Sequence, residues 1–479
     1  MTSTMDRRWL ALLILCLGDL MIVLDVTVVN VALPSIREDL GFSETSLAWV
    51  VNAYLLTFGG FLLLSGRLGD LFGHRRLFLI GIALFTVASL ACGLANSQEL
   101  LVGARAIQGL GGAVVSAVAL SLIMTLFTET ADRAKAMGVF GFVASAGGTV
   151  GVIAGGVLTD ALNWHWIFLV NIPVGVAVYA LTVWLLPGDQ IADEDRRVDY
   201  GGAVTITAAL MIAVYAIVNG NETGWLTGQT LGLLAAAAVL LAVFFVIELR
   251  VGKPLVPLGL LKHRTLATAN VVSILLSGAM FAAFFLTALY LQFVLGYSPL
   301  EVGLAFLPTS LIMGAFSLGL SAKLVMRFGI KPPLVGGLLF MAAGLLLFAR
   351  MPVDGNFLVD FLPPGVLLAI GAGMGFNPLL LAAMGDVEPS DAGLASGVVN
   401  TSFMFGGAVG LAILASLSAW RTEELLASGE SNAAALTGGY HWAFVVGALF
   451  AIGGAIVGGA LIRAEKPVAM HAEPEPAQP

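Results

Sequence analysis

Asp132 to Gly156 read DRAKAMGVFGFVASAGGTVGVIAGG, an apolar stretch of membrane length punctuated at Gly138, Gly147, Gly151, Gly155 and Gly156. Much of this spacing returns 259 residues later, where Asp391, Gly397, Gly406, Gly407 and Gly410 match Asp132, Gly138, Gly147, Gly148 and Gly151. A second echo, at an offset of 256, pairs Arg67, Leu68, Phe72, Gly73 and Arg75 with Lys323, Leu324, Phe328, Gly329 and Lys331. The two offsets agree within three residues, so the chain contains two related halves. A duplication carried on membrane-length apolar segments is an architecture of secondary transporters.

Composition agrees with a membrane setting. Of 479 residues, 59% are hydrophobic and 11% charged, with a mean hydropathy of +0.98, whereas soluble proteins carry about 25% charged residues. Apolar runs of about 20 residues, enough to cross a bilayer, recur fourteen times, at 9–33, 46–66, 77–97, 100–126, 136–159, 165–187, 200–219, 229–249, 266–292, 301–322, 332–349, 357–383, 393–419 and 440–462. The expected fold is therefore an all-α integral membrane protein of 14 transmembrane helices. The first run follows Arg7 and Arg8 but is longer than a signal-peptide core, contains Asp19 and Asp25, and lacks a clear cleavage site, so it reads as a retained helix. Cys16 and Cys92, the two cysteines, both fall inside spans and support neither a disulfide framework nor a metal site.

An even number of spans puts both termini on one side. If that side is the cytoplasm, all of the 22 Lys and Arg except Arg37, Arg350, Arg421 and the intraspan Arg105 lie there, which satisfies the positive-inside rule in loop after loop. The expected location is the inner (cytoplasmic) membrane, multi-pass. The expected organisation is a six-helix bundle over 1–188, an acidic loop with two inserted helices over 189–264, a second six-helix bundle over 265–464, and a disordered tail over 465–479, rich in Pro, Ala and Glu.

These residues resemble the major facilitator superfamily, and within it the fourteen-span drug:proton antiporter branch. The resemblance is carried by Leu24 to Pro34 (LDVTVVNVALP), Gly66 to Arg76 (GRLGDLFGHRR), Arg105 to Gly109 (RAIQG) and the glycine pattern of the fifth span. It continues in Trp164 to Gly175, in Leu291-Gln292 with Gly296 to Pro299, and in Asp391 to Gly410, nearly the whole chain. Two departures stand out: Val152 where the family's fifth span commonly has Pro, and Phe403-Met404 where Arg and Gln are frequent. The resemblance implies a major facilitator fold with two pseudo-symmetric bundles that rock to expose a central site alternately to each side.

Ionisable groups at lipid depth are costly unless paired or neutralised, and there are three clear cases: Asp19, Asp25 and Arg105. Asp25 lies about 12 Å below the outer end of its span and Arg105 about 8 Å into its own, at 1.5 Å per residue. Because the family fold sets spans one and four beside the central cavity, a direct or water-bridged Asp25–Arg105 pair is expected. Poor solvation favours the neutral carboxyl and a neighbouring guanidinium the carboxylate. Their competition makes a proton switch: Asp25 takes a proton from outside, releases it inside, and disfavours simultaneous occupancy by a cationic substrate. Asp19, six residues earlier and about 240° around the helix, either meets cavity water or bonds a neighbouring helix.

In the Gly66–Arg76 loop, Gly66, Gly69 and Gly73 permit close backbone approach, Asp70 accepts hydrogen bonds, and Arg75 and Arg76 can meet lipid phosphates. By resemblance, Gly66, Arg67, Asp70, Gly73, Arg75 and Arg76 form a cytoplasmic gate; the second copy has Met326 in place of Asp70. The fifth-span glycines remove side chains along a stripe and allow tight helix packing, which in an exporter would seal the cavity. Tyr290, Gln292 and Asn377 are the candidate substrate contacts of the second half, its intraspan amides needing partners in lipid. The expected activity is proton-coupled antiport exporting lipophilic, often cationic, drugs or antibiotics. The alternatives are a dedicated exporter of an endogenous metabolite, proton-symport uptake, or a transporter-like membrane sensor. No phosphate-cradling GxxxxGK[ST] motif occurs, so protons are the expected coupling ion, with no cofactor and no metal. The expected partners are a small-molecule substrate, protons and membrane lipids, with no nucleic acid, for a monomer that is not an enzyme.

Overall fold

The computed structural model describes residues 4–127, 129–186, 199–252, 254, 259, 262–385, 387 and 392–462. The expected acidic loop up to residue 198 and the expected tail lie outside the described residues, as do the side chains of Arg67 and Asp70.

Among the described residues the regular structure is all helical. The first half comprises α1 (Thr4–Leu40), α2 (Glu44–Phe72), α3 (His74–Gly93), α4 (Gln98–Leu126), α5 (Thr130–Ala161), the short α6 (Trp166–Leu169) and α7 (Asn171–Leu185). The inserted pair is α8 (Tyr200–Thr223) and α9 (Gly228–Arg250). The second half comprises α10 (Arg264–Leu289), α11 (Pro299–Ala315), α12 (Ser321–Phe328), α13 (Lys331–Phe348), α14 (Leu362–Gly385), α15 (Ala392–Ala427) and α16 (Asn432–Leu461). Wider π turns extend α10 over Tyr290–Val294, join α11 to α12 over Phe316–Leu320 and precede α14 over Phe357–Phe361. We call the end of the bundle that carries the α1–α2 turn upper, and the end that carries the α2–α3 turn lower.

Helix starts in a membrane protein need acceptors that lipid cannot supply. Ser43, Ser97 and Ser431 provide them, accepting from the amides of Ser46, Leu100 and Ala434 at 3.0, 3.3 and 3.3 Å. Ser298 and Glu301 form a reciprocal capping box with Pro299 in the first turn of α11. Among the described residues, twelve helices are long and apolar enough to cross a bilayer, and Val150–Ala161 within α5 and Pro299–Ala315 are shorter apolar stretches. These two segments account for the difference from the fourteen expected.

The duplication is visible in the packing. In the first half α5 lies along α1, and in the second α15 lies along α10. A side chain at Gly147 would strike Leu20 and Val23, and one at Gly406 would strike Ile274 and Ser277. Gly151 abuts Leu24 and Gly410 abuts Gly278. One offset therefore relates α1 to α10, and it sets Ala279 where α1 has Asp25. The second repeat also returns, because the lower turns pivot on Gly73 (φ 95°) and Gly329 (φ 79°), values that a side chain would resist.

The halves meet along α2 with α15 and along α5 with α11, while α8 lies against both α2 and α15 and α9 packs on α8. The expected Gly66–Arg76 loop is a correction: residues 66–72 continue α2, Gly73 alone makes the turn, and His74 begins α3. Close backbone approach at Gly69 and Gly73 tightens the junction into one residue, with the Gly73 amide donating to the Gly69 carbonyl at 3.0 Å.

Candidate functional site

Asp25 stands midway along α1 and Arg105 two turns into α4, and the fold brings them into direct contact. Both are 1% exposed. Arg105 Nη1 donates to Asp25 Oδ2 and also to Gln108 Oε1 at 2.7 Å, and its Nε donates to the Val50 carbonyl of α2 at 2.9 Å. The guanidinium lies over the Tyr54 ring, 4.4 Å from its centroid, with the Phe168 ring at 5.7 Å. Such rings stabilise a desolvated cation through their negative faces.

Asp25 has further donors. Its Oδ1 accepts from Gln108 Nε2 at 2.7 Å and from Asn171 Nδ2 at 3.2 Å. Ser89 of α3 ties the two amides together, accepting from Gln108 at 3.1 Å and Asn171 at 3.0 Å while donating to the Phe168 carbonyl at 3.0 Å. Cys92 Sγ lies 3.6 Å from Gln108 Oε1. The network thus draws on α1, α2, α3, α4, α6 and α7, and every member belongs to the first half. A buried ion pair is retained without large cost only when its remaining valences are satisfied, and here those of the carboxylate are. Among the described residues the second half, with Ala279 at the matching place, has no copy of it.

Asp19, 6% exposed, sits lower on α1 and accepts from Ser116 Oγ of α4 at 3.1 Å. Of the two situations expected for it, the structure places it in the second, bonded to a neighbouring helix. At the lower turn, Arg75 Nη2 donates to the Val183 carbonyl of α7 at 2.7 Å, so this guanidinium braces α3 against α7. Arg76 is exposed and Gly66 has open space around it.

The fifth-span glycines divide between two partners. Gly147, Gly151 and Gly155 form a stripe against α1, where an added Cβ would meet Leu20, Thr27 and the Val28 backbone. Gly156 turns instead to the second half and would meet Pro299 and Leu300, while Gly303 of α11 meets the Val152 carbonyl. Gly138 lies within α5. The candidate substrate contacts separate. Tyr290 is buried, its hydroxyl donating to the Pro352 carbonyl at 2.6 Å, and Gln292 Nε2 donates to the Val31 carbonyl of α1 at 2.8 Å. Asn377 is half-buried in α14, next to its internal Pro378.

The Major Facilitator Superfamily model matches residues 15–411. The chain belongs to the Major Facilitator Superfamily. It is a multi-pass membrane protein and a transporter by family. This facilitator is 40% identical over 450 residues to the puromycin resistance protein of Streptomyces alboniger, covering 93% of the chain and 89% of that relative. It is 37% identical to the cephamycin export protein of Amycolatopsis lactamdurans, covering 99% of the chain and 97% of the relative. A lincomycin resistance protein of Streptomyces lincolnensis is 38% identical over 86% of the chain and 84% of its own length. Among solved structures, an auto-inhibited peptide transporter of the POT family shares the fold, with a TM-score of 0.68, 15% identity and 98% of each chain covered.

Reading the sequence of this facilitator for charges alone missed Gln108, Ser89 and Asn171. Gln108 is three residues from Arg105 and so on the same face of α4. Asn171 is an amide inside an otherwise apolar stretch. Those two signals were available, whereas nothing local marks Ser89.

Proposed function

We propose that the protein is a proton-coupled antiporter that exports lipophilic, often cationic drugs or antibiotics by alternating access. The observation that carries the reading is the Asp25 network: a buried carboxylate engaged by Arg105, Gln108 and Asn171, all of the first half. An ionised carboxylate is acceptor-only, and its protonated form has a donor and reduced acceptor capacity. Proton uptake at Asp25 puts a hydrogen on an oxygen that now only accepts and removes the charge that holds Arg105, so the contact weakens and the helices that carry it are freed to shift. Release of Arg105 would free a cation held beside two aromatic rings, which links proton occupancy to helix position without a cofactor.

In this reading α5 and the α11–α12 pair complete fourteen spans, both termini are cytoplasmic, and the membrane is the bacterial inner membrane. The basic residues of the lower end, Arg75 and Arg76 among them, favour that orientation. The relatives named for puromycin, lincomycin and cephamycin support export of antibiotics. Dedicated export of a single antibiotic is the second reading, favoured by the cephamycin exporter, which matches over nearly the full length of both chains. Purified protein in liposomes with an imposed pH gradient and a panel of dyes and antibiotics tests both. Gradient-driven flux of several unrelated compounds supports the first reading, flux of one compound the second, and substrate accumulation along the proton gradient contradicts both.

A further inference from the structure

Near the upper end, two consecutive side chains of the second half grip α1. Gln292 Nε2 donates to the Val31 carbonyl at 2.8 Å, and the Arg37 guanidinium of α1 lies over the Phe293 ring, 4.6 Å from its centroid. Both residues belong to the π turn Tyr290–Val294 at the end of α10. A π turn inserts an extra residue into the ladder and re-aims the side chains that follow. Its base is fixed, since Tyr290 is 1% exposed and anchored through its hydroxyl to the Pro352 carbonyl at 2.6 Å.

The segment of α1 being gripped is suited to bending. Pro34 lies inside the helix, has no amide hydrogen, and crowds the carbonyl four residues back, that of Asn30. The carbonyl taken by Gln292 is the next one along. Below it, Asn30 Nδ2 donates to the Val26 carbonyl at 3.2 Å and Thr27 Oγ1 to the Val23 carbonyl at 2.9 Å. Side chains bonding back to the preceding turn weaken and bend a helix. The same helix carries Asp25, six residues below Val31.

From this geometry we infer that the Tyr290–Val294 turn is a latch that holds the upper end shut, with Gln292 and Phe293 as its two contacts on α1. Gln292 is a positioning residue, and its amide is engaged by protein rather than offered to a substrate. Opening of the upper end requires both contacts to break, after which the Pro34 segment is free to swing. The latch rests on the alternating-access reading, but the distance measurement that tests it needs neither substrate nor proton gradient.

The experiment places nitroxide labels at Glu99→Cys on α4 and Glu423→Cys on α15, both exposed, in the full-length protein in nanodiscs. Pulsed dipolar spectroscopy then measures the upper-end distance without substrate at fixed pH. Gln292→Ala removes one hydrogen bond and is expected to raise the long-distance population about fivefold relative to the short one. Phe293→Leu removes the ring beneath Arg37 and is expected to shift it in the same direction, and it serves where Gln292→Ala does not fold. An unchanged distribution in the folded variants overturns the latch. If the apparent KM for an exported dye rises in that case, Gln292 is a substrate contact instead. A shifted distribution without any proton-driven export leaves the latch standing and removes the export reading.

Discussion

Replacing Arg105 by Leu in the buried network should be among the most damaging single changes available in the first half. The substitution strips donors from three acceptors at once, Asp25 Oδ2, Gln108 Oε1 and the Val50 carbonyl, and removes the cation from between Tyr54 and Phe168. Breaking a buried ion pair from one side costs about 3–5 kcal/mol, because the remaining charge is left desolvated. Asp25→Asn alone should cost less, about 1.5–3 kcal/mol, since an amide still accepts from Arg105 while the charged character of the bond is lost. In the double variant the unpaired charge is gone. Its cost should fall short of the sum of the single costs by about 2 kcal/mol, within the range seen for contacting residues. The assay is reversible unfolding in mixed micelles, followed by tryptophan fluorescence, for wild type, both single variants and the double variant at one pH. Additivity within about 0.5 kcal/mol would refute the claim that these two residues form one energetic unit.

Other outcomes follow from the same contacts. Gly410→Ala puts a methyl 2.2 Å from the Gly278 Cα, and this overpacking should cost about 1–3 kcal/mol in the same unfolding assay; Gly148→Ala, with nothing within 4 Å, should be close to neutral. Gly73→Ala forces a side chain into φ 95° at the α2–α3 turn, and a cost of about 1–3 kcal/mol is expected as a lowered thermal midpoint. Asn52 is fully buried on α2 with neither side-chain polar atom hydrogen-bonded, so Asn52→Leu should leave the thermal midpoint unchanged or raise it; a clear drop would mean that the amide has a partner in the membrane-embedded protein.

The charged part of the site was legible in the sequence because lipid makes charge expensive. Asp25 and Arg105 needed partners, and counting residues along two spans put them at depths of about 12 and 8 Å, near enough to pair. The neutral part was only half legible: Gln108 and Asn171 are intraspan amides that need partners, but nothing local marks Ser89, and only the meeting of α3, α4 and α7 gives the three a common target. The glycine pattern announced tight packing but not its partner. Gly147, Gly151 and Gly155 turn to α1 and Gly156 to α11, a division set by helix phase and by how the halves meet. The amide of Gln292 signals that it needs a partner but not which one; the structure pairs it with the Val31 carbonyl, and Tyr290 with that of Pro352. The lower turn shortened for a local reason, since Gly73 with positive φ joins two helices where a longer loop was expected.

If Asp25 carries the coupling proton, removing its carboxyl uncouples transport from the pH gradient. Wild-type protein and Asp25→Asn are reconstituted in liposomes at equal density, and efflux of an exported dye is followed with and without an imposed pH gradient, alongside proton movement read by a trapped pH indicator. Wild type should accelerate with the gradient and move protons against dye. Asp25→Asn should lose both the acceleration and the proton flux while still binding the dye. Asp25→Asn transport that remained fully driven by the gradient would contradict it.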